Sequence, residues 1–246
     1  MSLKTFIRKV VQKCGYQIQK YPFVVFSPIP VFDLSVHLLM AVRGDSLNFI
    51  QVGANDGEYG DPLHSFIVKY PWHGILVEPQ PDIFAKLREN YAAIKNRLIF
   101  ENIAIAKDLS TIAMYRAPGN PNVYESSVAS VNPKAVARQL GLRLRHLEQF
   151  LVPCTTLDEL VRKYNMSHID VLQIDAEGCD YDVLKTLDLS EVSPLLIQFE
   201  HGQLTRQKIS GAVEYLSTHG YRVLYGGHQT DTLALHRSFP LVDQPR

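Results

Sequence analysis

The chain has 246 residues, 46% of them hydrophobic, enough for one large buried core without a second domain. Its 25 basic residues balance 25 acidic ones, so nothing global argues for nucleic acid, and any charged partner must be met by a local patch. Cys14, Cys154 and Cys179 are odd in number, far apart and without metal spacing, and read as free thiols in a reducing, cytoplasmic setting.

In chain order, Leu3, Phe6, Ile7, Val10, Val11 and Cys14 keep the spacing of one helix face, with Lys4, Arg8, Lys9 and Lys13 mostly elsewhere around it. Such a basic amphipathic helix either packs its stripe on the domain or makes a peripheral contact with an anionic membrane or a partner. Those charges also interrupt the place where the apolar stretch of a cleavable signal would run. No run approaches the roughly 18 apolar residues that span a bilayer. A three-proline linker over 21–30 follows, and Asp33 is expected to cap a second helix from Leu34 to Ala41 that Gly44 ends. Residues 1–44 are therefore set apart from a domain over 45–246.

From Asn48 onward strand and helix alternate: strand 48–52, a helix near 62–70, strand 74–78, a helix from Pro81 to about Ala92, strand 98–105 and a strand near 111–116. Residues 118–150 read as an irregular insertion, helical in its later part, that covers the substrate side. Then come a helix over 155–164, with Thr156 and Glu159 at capping-box spacing, strand 169–174, helix 181–187, strand 195–199, helix 205–219 and strands 221–225 and 232–236. Alternation of this kind predicts an α/β fold with a mostly parallel sheet and helices on both faces. The short link over 226–231 makes the last two strands an antiparallel hairpin.

An open parallel sheet binds its ligand at the carboxyl ends of its strands. Those ends carry Gly53 to Glu58, Glu78-Pro79-Gln80, Asn102 to Ala104, Asp175 to Gly178 and Glu200-His201-Gly202. The first loop lacks the third glycine of a pyrophosphate fingerprint, and Asp56 and Glu58 would repel a pyrophosphate but attract a cation. S-adenosylmethionine, with its sulfonium and ammonium, fits better than a nicotinamide dinucleotide.

At this point the sequence resembles the FkbM-type methyltransferases, a Rossmann-like class I branch. The matching residues are Phe49 to Gly57, Val77-Glu78-Pro79, Asn102 to Ala106, Thr156 to Leu160, Ile169 to Gly178 with Val183-Leu184, and Leu196 to His201. The resemblance implies a seven-stranded sheet with an antiparallel last strand, S-adenosylmethionine as cofactor, and O-methylation of a hydroxyl on a glycan, glycolipid or related secondary metabolite. Gln51 stands where many members have an acid.

Together these arguments assign Gly53, Ala54, Asn55, Asp56 and Gly57 to the methionine part, Glu78 with Pro79 to the ribose, and Asn102, Ile103 and Ala104 to the adenine. Asp175, Glu177 and His201 are the candidate catalytic groups, Asp175 also bordering the cofactor, with His228 as a further base. Tyr124, Ser126 and Ser127 are candidate acceptor contacts, and Arg138, Arg143, Arg145 and His146 are placed on one helix that binds an anion or is simply solvated. Trp72 and His73 read as packing and turn residues. No metal spacing is present. A divalent ion at Asp175 with Glu200 or His201 is a minor alternative. The expected partner is a small-molecule or glycan acceptor, with no nucleic acid. The competing readings are a nicotinamide-dependent oxidoreductase or nucleotide-sugar enzyme, and a non-catalytic, membrane-associated protein.

Overall fold

The computed structural model describes residues 31–119, 128–225 and 231–240. The N-terminal amphipathic helix and linker, Cys14, Tyr124, Ser126, Ser127 and His228 lie outside the described residues.

Strand β1 (Asn48–Val52) is paired in parallel on one side with β2 (His73–Val77). The apolar run Phe49 to Val52 is buried throughout, which suits a central strand covered on both faces. β3 (Leu98–Glu101) lies beyond β2, and on the other side of β1 come β8 (Val171–Ile174) and β9 (Leu196–Glu200), all parallel. β11 (Asp231–His236) runs antiparallel between β9 and β10 (Tyr221–Tyr225). The seven-stranded order is β10-β11-β9-β8-β1-β2-β3, so the expected fold and closing hairpin are both present.

Alternation along the strands feeds two cores. Ile50, Ile75, Leu172 and Ile197 pack under helices α5 (Leu157–Lys163), α6 (Asp180–Leu184) and α7 (Arg206–Thr218). Phe49, Leu76, Val171 and Leu196 face α1 (Val31–Arg43), α2 (His64–Lys69) and α3 (Pro81–Asn90). Trp72, fully buried between Phe49 and Phe66, is the packing residue expected. Four side chains of α1, Phe32, Val36, Leu39 and Met40, belong to this second core, so the compact unit begins at Phe32 rather than at 45. Asp33 is a first-turn acid inside α1, not its cap, because the helix already starts at Val31; Gly44 closes it with φ +89° and an amide donated to Met40 O.

The expected strand 98–105 is two strands. It breaks at Asn102, whose side-chain amide turns back to the carbonyls of Glu78 and Pro79. β4 (Ala104–Ile105) then joins a separate four-stranded sheet, order β4-β7-β5-β6, with β5 (Thr111–Arg116), β6 (Ala129–Ser130) and β7 (Glu148–Thr155). Within the expected cover, Ala129–Ser130 and Glu148–Phe150 therefore belong to this sheet. Its later part is a short helix α4 (Pro133–Gln139), interrupted at Gly141 with φ +65° before a 3-10 turn at Leu144–His146, so the four basic residues do not share one helix. β7 also takes up Thr155, which delays α5 to Leu157, where the Thr156–Glu159 capping box closes as its spacing predicts.

Candidate active site

The loop after β1 is held from three sides. Gly53 and Ala54 both donate their amides to Val77 O, at 2.9 and 3.0 Å, which folds the turn over the end of β2. Gly53 has φ +77°, and a Cβ there would lie 1.9 Å from the carbonyl oxygen of Asp175. Asn55 takes the left-handed conformation at φ 49°, which asparagine tolerates better than most residues. Behind the loop, Tyr91 donates its hydroxyl to Gly57 O at 2.9 Å, and its ring covers the Cα of Gly57 so closely that a Cβ would sit 2.4 Å from it. Gln51 donates its amide to Asp61 Oδ1 at 2.8 Å, and Asn90 donates to Asp56 O at 2.9 Å.

Glu78 follows β2 and is buried, and each of its oxygens already accepts one amide: Asn55 N at 3.0 Å and Gln80 N at 2.8 Å. One acceptor direction per oxygen is left for a ligand. Burial pushes this carboxyl up to about 7 against the pull of those two amides, with Asp82 and Asp175 adding to the rise.

Beyond β8 and β9 the strand ends carry acids to which, among the described residues, no guanidinium or ammonium is bound. Burial pushes Asp175 up to about 7, helped by Glu177, Asp180 and Asp231. Glu200 is pushed up to about 8 by burial and by Asp175 and Glu177. Asp180 is pushed up to about 7 by burial, although it accepts the amides of Ala176 and Gly178 at 3.2 Å. Asp180 thus braces the turn into α6. Glu177 sits at φ 48° and accepts from Gln203, while Ser130 of the second sheet donates to its carbonyl at 2.9 Å.

A cavity of about 630 Å³ lies over these strand ends, walled on its far side by Ile112, Met114, Ala129 and Val131 of the second sheet and its margin. It is large enough for a nucleoside-sized ligand. Gly53, Asn55, Glu78, Pro79, Ile103, Ala104, Asp175 and Glu177 line it together. Ala54 and Gly57 shape the loop from behind, and Asn102 holds the Glu78-Pro79 turn rather than facing the cavity. Asp56 is turned away: its Oδ1 accepts the amides of Glu58 and Tyr59 at 3.0 and 2.9 Å, the pattern of an Asx turn. His201 is buried beside the sheet, shares a 2.9 Å hydrogen bond with Thr232 and does not line the cavity; burial holds its pKa below the ordinary value. Asp61, Tyr91 and Arg116 were not singled out from sequence, and Gln80 was named only as part of a strand end, without a role.

Residues 51–223 match the family described as the methyltransferase FkbM domain. The chain belongs to this family. Membership of this methyltransferase family supports S-adenosylmethionine as the cofactor. Among solved structures, this FkbM chain is similar to the methyltransferase FkbM of Methylobacillus flagellatus KT, with 14% identity, 78% of this chain and 44% of that one covered, and a TM-score of 0.49. The N-terminal domain of human METTL16 in complex with SAH aligns at 11% identity, covering 94% and 79%, with a TM-score of 0.44. Precorrin-6y C5,15-methyltransferase from Geobacter metallireducens GS-15 aligns at 13%, covering 87% and 92%, with a TM-score of 0.42. The chain spans less than half the length of the first of these. No curated protein matches it. Among the described residues no group of three or more His, Cys, Asp and Glu could hold a metal ion, and no helix is long and apolar enough to cross a membrane.

Proposed function

We propose that this chain is an S-adenosylmethionine-dependent O-methyltransferase that acts on a hydroxyl of a glycan, glycolipid or related secondary metabolite. The observation that carries the reading is the convergence of Gly53, Asn55, Glu78 and Asp175 on one cavity at the carboxyl ends of the parallel strands. When bound, the cofactor supplies a methyl group on a sulfonium. The acids at this edge suit it: Asp175 and Glu177 line the cavity, Glu200 lies outside its lining, and burial raises all three carboxyls. Glu78 offers its remaining acceptor directions to the ribose hydroxyls, and Ile103 and Ala104 border the adenine.

Asp175 is the proposed general base. Its carboxyl lies near neutrality, lines the cavity, and can take the hydroxyl proton as the acceptor oxygen bonds to the methyl carbon and the carbon–sulfur bond breaks. Glu177, two residues on, favours the protonated form of Asp175 by repulsion and so strengthens it as a proton acceptor. His201, hydrogen-bonded to Thr232 and outside the cavity lining, is left with a positioning role between β9 and β11. Much of the acceleration then comes from alignment in a walled cavity. A cytoplasmic setting and a peripheral membrane contact through the N-terminal helix belong to the same proposal, resting on the thiols and the basic helix pattern.

Calorimetric titration with S-adenosylhomocysteine and with NAD tests it. Binding of the former is expected, whereas tight NAD binding without a response to S-adenosylhomocysteine would overturn it.

A further inference from the structure

Arg116 ends β5 in the second sheet, and its guanidinium bridges two parts of the fold. Its Nε donates to Glu148 Oε1 at 2.5 Å, the residue directly opposite it on β7. Its Nη1 donates to Asp82 Oδ1 at 2.5 Å, in the first turn of α3, and reaches Gln80 Oε1 at 3.4 Å. The Phe150 ring lies under the guanidinium, 5.3 Å from centroid to Cζ. Gln80 in turn donates its amide to Glu78. A continuous bonded path therefore runs from the second sheet through Arg116 and Gln80 to the proposed ribose acid.

We propose that Arg116 is a positioning residue for the cofactor, fixing the Glu78–Asp82 turn against the second sheet and neutralising Asp82 beside Glu78. The inference rests on the cofactor reading above. Three features support it. A rigid, forked guanidinium can satisfy Glu148 and Asp82 at once in fixed directions, which a lysine ammonium on a flexible stem cannot. The Arg116 side chain is 19% exposed, so its charge acts with limited solvent screening. The carboxyls that bear on Glu78 are Asp82 in α3 and Asp175 beyond β8, both disfavouring its ionised form, and Arg116 is the cation bonded to the nearer of the two in sequence. With Arg116 removed, Asp82 would lose that compensation beside Glu78, and the 80–82 turn would lose its tie to β5.

The test is S-adenosylhomocysteine affinity in the full-length chain, measured by calorimetry for wild type, Arg116→Gln, Arg116→Lys, Asp82→Asn and the double variant Arg116→Gln/Asp82→Asn. Arg116→Gln is expected to weaken binding about tenfold, and Asp82→Asn in that background to restore it to within about twofold of wild type, because the Asp82 charge is gone. Arg116→Lys should fall between, keeping the charge and losing the fork. If the glutamine variant proves too unstable, the lysine variant carries the test. Wild-type affinity in either, or a loss that Asp82→Asn leaves in place, overturns the inference and makes Arg116 a packing residue. A wild-type chain that ignores S-adenosylhomocysteine overturns the cofactor reading and this inference with it.

Discussion

The carbonyl oxygen of Asp175 occupies the space that a Cβ on Gly53 would need, 1.9 Å away. The first ligand loop and the proposed base are thereby packed backbone against backbone, across the β1–β8 pair. Because the obstacle is main chain, no side-chain rotation can relieve it.

Gly53→Ala should therefore separate the two strand ends. Its φ of +77° adds backbone strain to the collision. The expected cost is about 1–3 kcal/mol of stability, accompanied by loss of S-adenosylhomocysteine binding. Urea denaturation and calorimetry on the same preparation would show both effects. An alanine variant that retains wild-type affinity would mean the loop can move away from Asp175 at little expense.

Glu78→Ala removes the acceptor of the Asn55 and Gln80 amides along with the ribose contact. Cofactor binding should fall by about tenfold or more, since two buried donors lose their partner as well. Asp175→Asn keeps the shape of the cavity and should mainly lower turnover. Equal affinity of wild type and the Glu78 variant would remove the ribose assignment, and full turnover in the Asp175 variant would remove the base.

The acid edge should also make stability depend on pH. Glu78, Asp175 and Asp180 lie at about 7 and Glu200 at about 8 in the folded chain, against about 4 for unfolded carboxyls. Between those limits the folded state binds more protons, so this stabilisation is fully present below about pH 4 and is lost as pH rises through about 7 to 8. His201 and His236, whose pKa values burial lowers, act oppositely up to about pH 6.5. The fall should thus be clearest from about pH 6 to 7.5 and level off above about 8, and Asp175→Asn with Glu200→Gln should flatten it. Ionisation of the same acids should favour the sulfonium, so the affinity of S-adenosylmethionine relative to S-adenosylhomocysteine should rise over that range. A ratio that stays constant with pH would show that these carboxyls do not face the sulfur.

Local pattern carried the sheet. Buried runs such as Phe49 to Val52 and Val171 to Ile174 announce parallel strands, and Thr156 with Glu159 announces a helix start through contacts three residues apart. Of the second sheet β5 was legible and β7 was not, because β7 reads Glu148 to Thr155 with exposed Leu151 and an internal Pro153, and its strand character comes from pairing with β5, about 40 residues earlier. At the site, Gly53, Asn55, Glu78, Pro79, Ile103, Ala104, Asp175 and Glu177 meet at one cavity. Sequence could not tell which way each strand-end residue pointed: Asp56 turns onto Glu58 and Tyr59, and His201 onto Thr232. Asp61 and Tyr91 stayed hidden because their partners, Gln51 and Gly57, are brought to them only by the fold.

Gln51 tests that last point most sharply, since many family members have an acid at this position. Here its side chain is buried and donates to Asp61 Oδ1 at 2.8 Å, while Asp61 also accepts Leu63 N at 2.7 Å and the Tyr91 hydroxyl at 3.3 Å. Asp61 is itself raised by burial. A glutamate at 51 would replace the donor with a second carboxylate in the same buried space, and two such groups cannot both ionise. Gln51→Glu should consequently destabilise the chain by about 3 kcal/mol near neutral pH and recover part of that loss as pH falls and one carboxyl takes up the shared proton. Gln51→Glu with Asp61→Asn, which puts the donor on the other side, should restore part of the urea midpoint, because the Oδ1 that faces residue 51 also accepts Leu63 N and an amide nitrogen there cannot. If the single glutamate variant is as stable as wild type at neutral pH, the Gln51–Asp61 bond is not what selects the amide at this position.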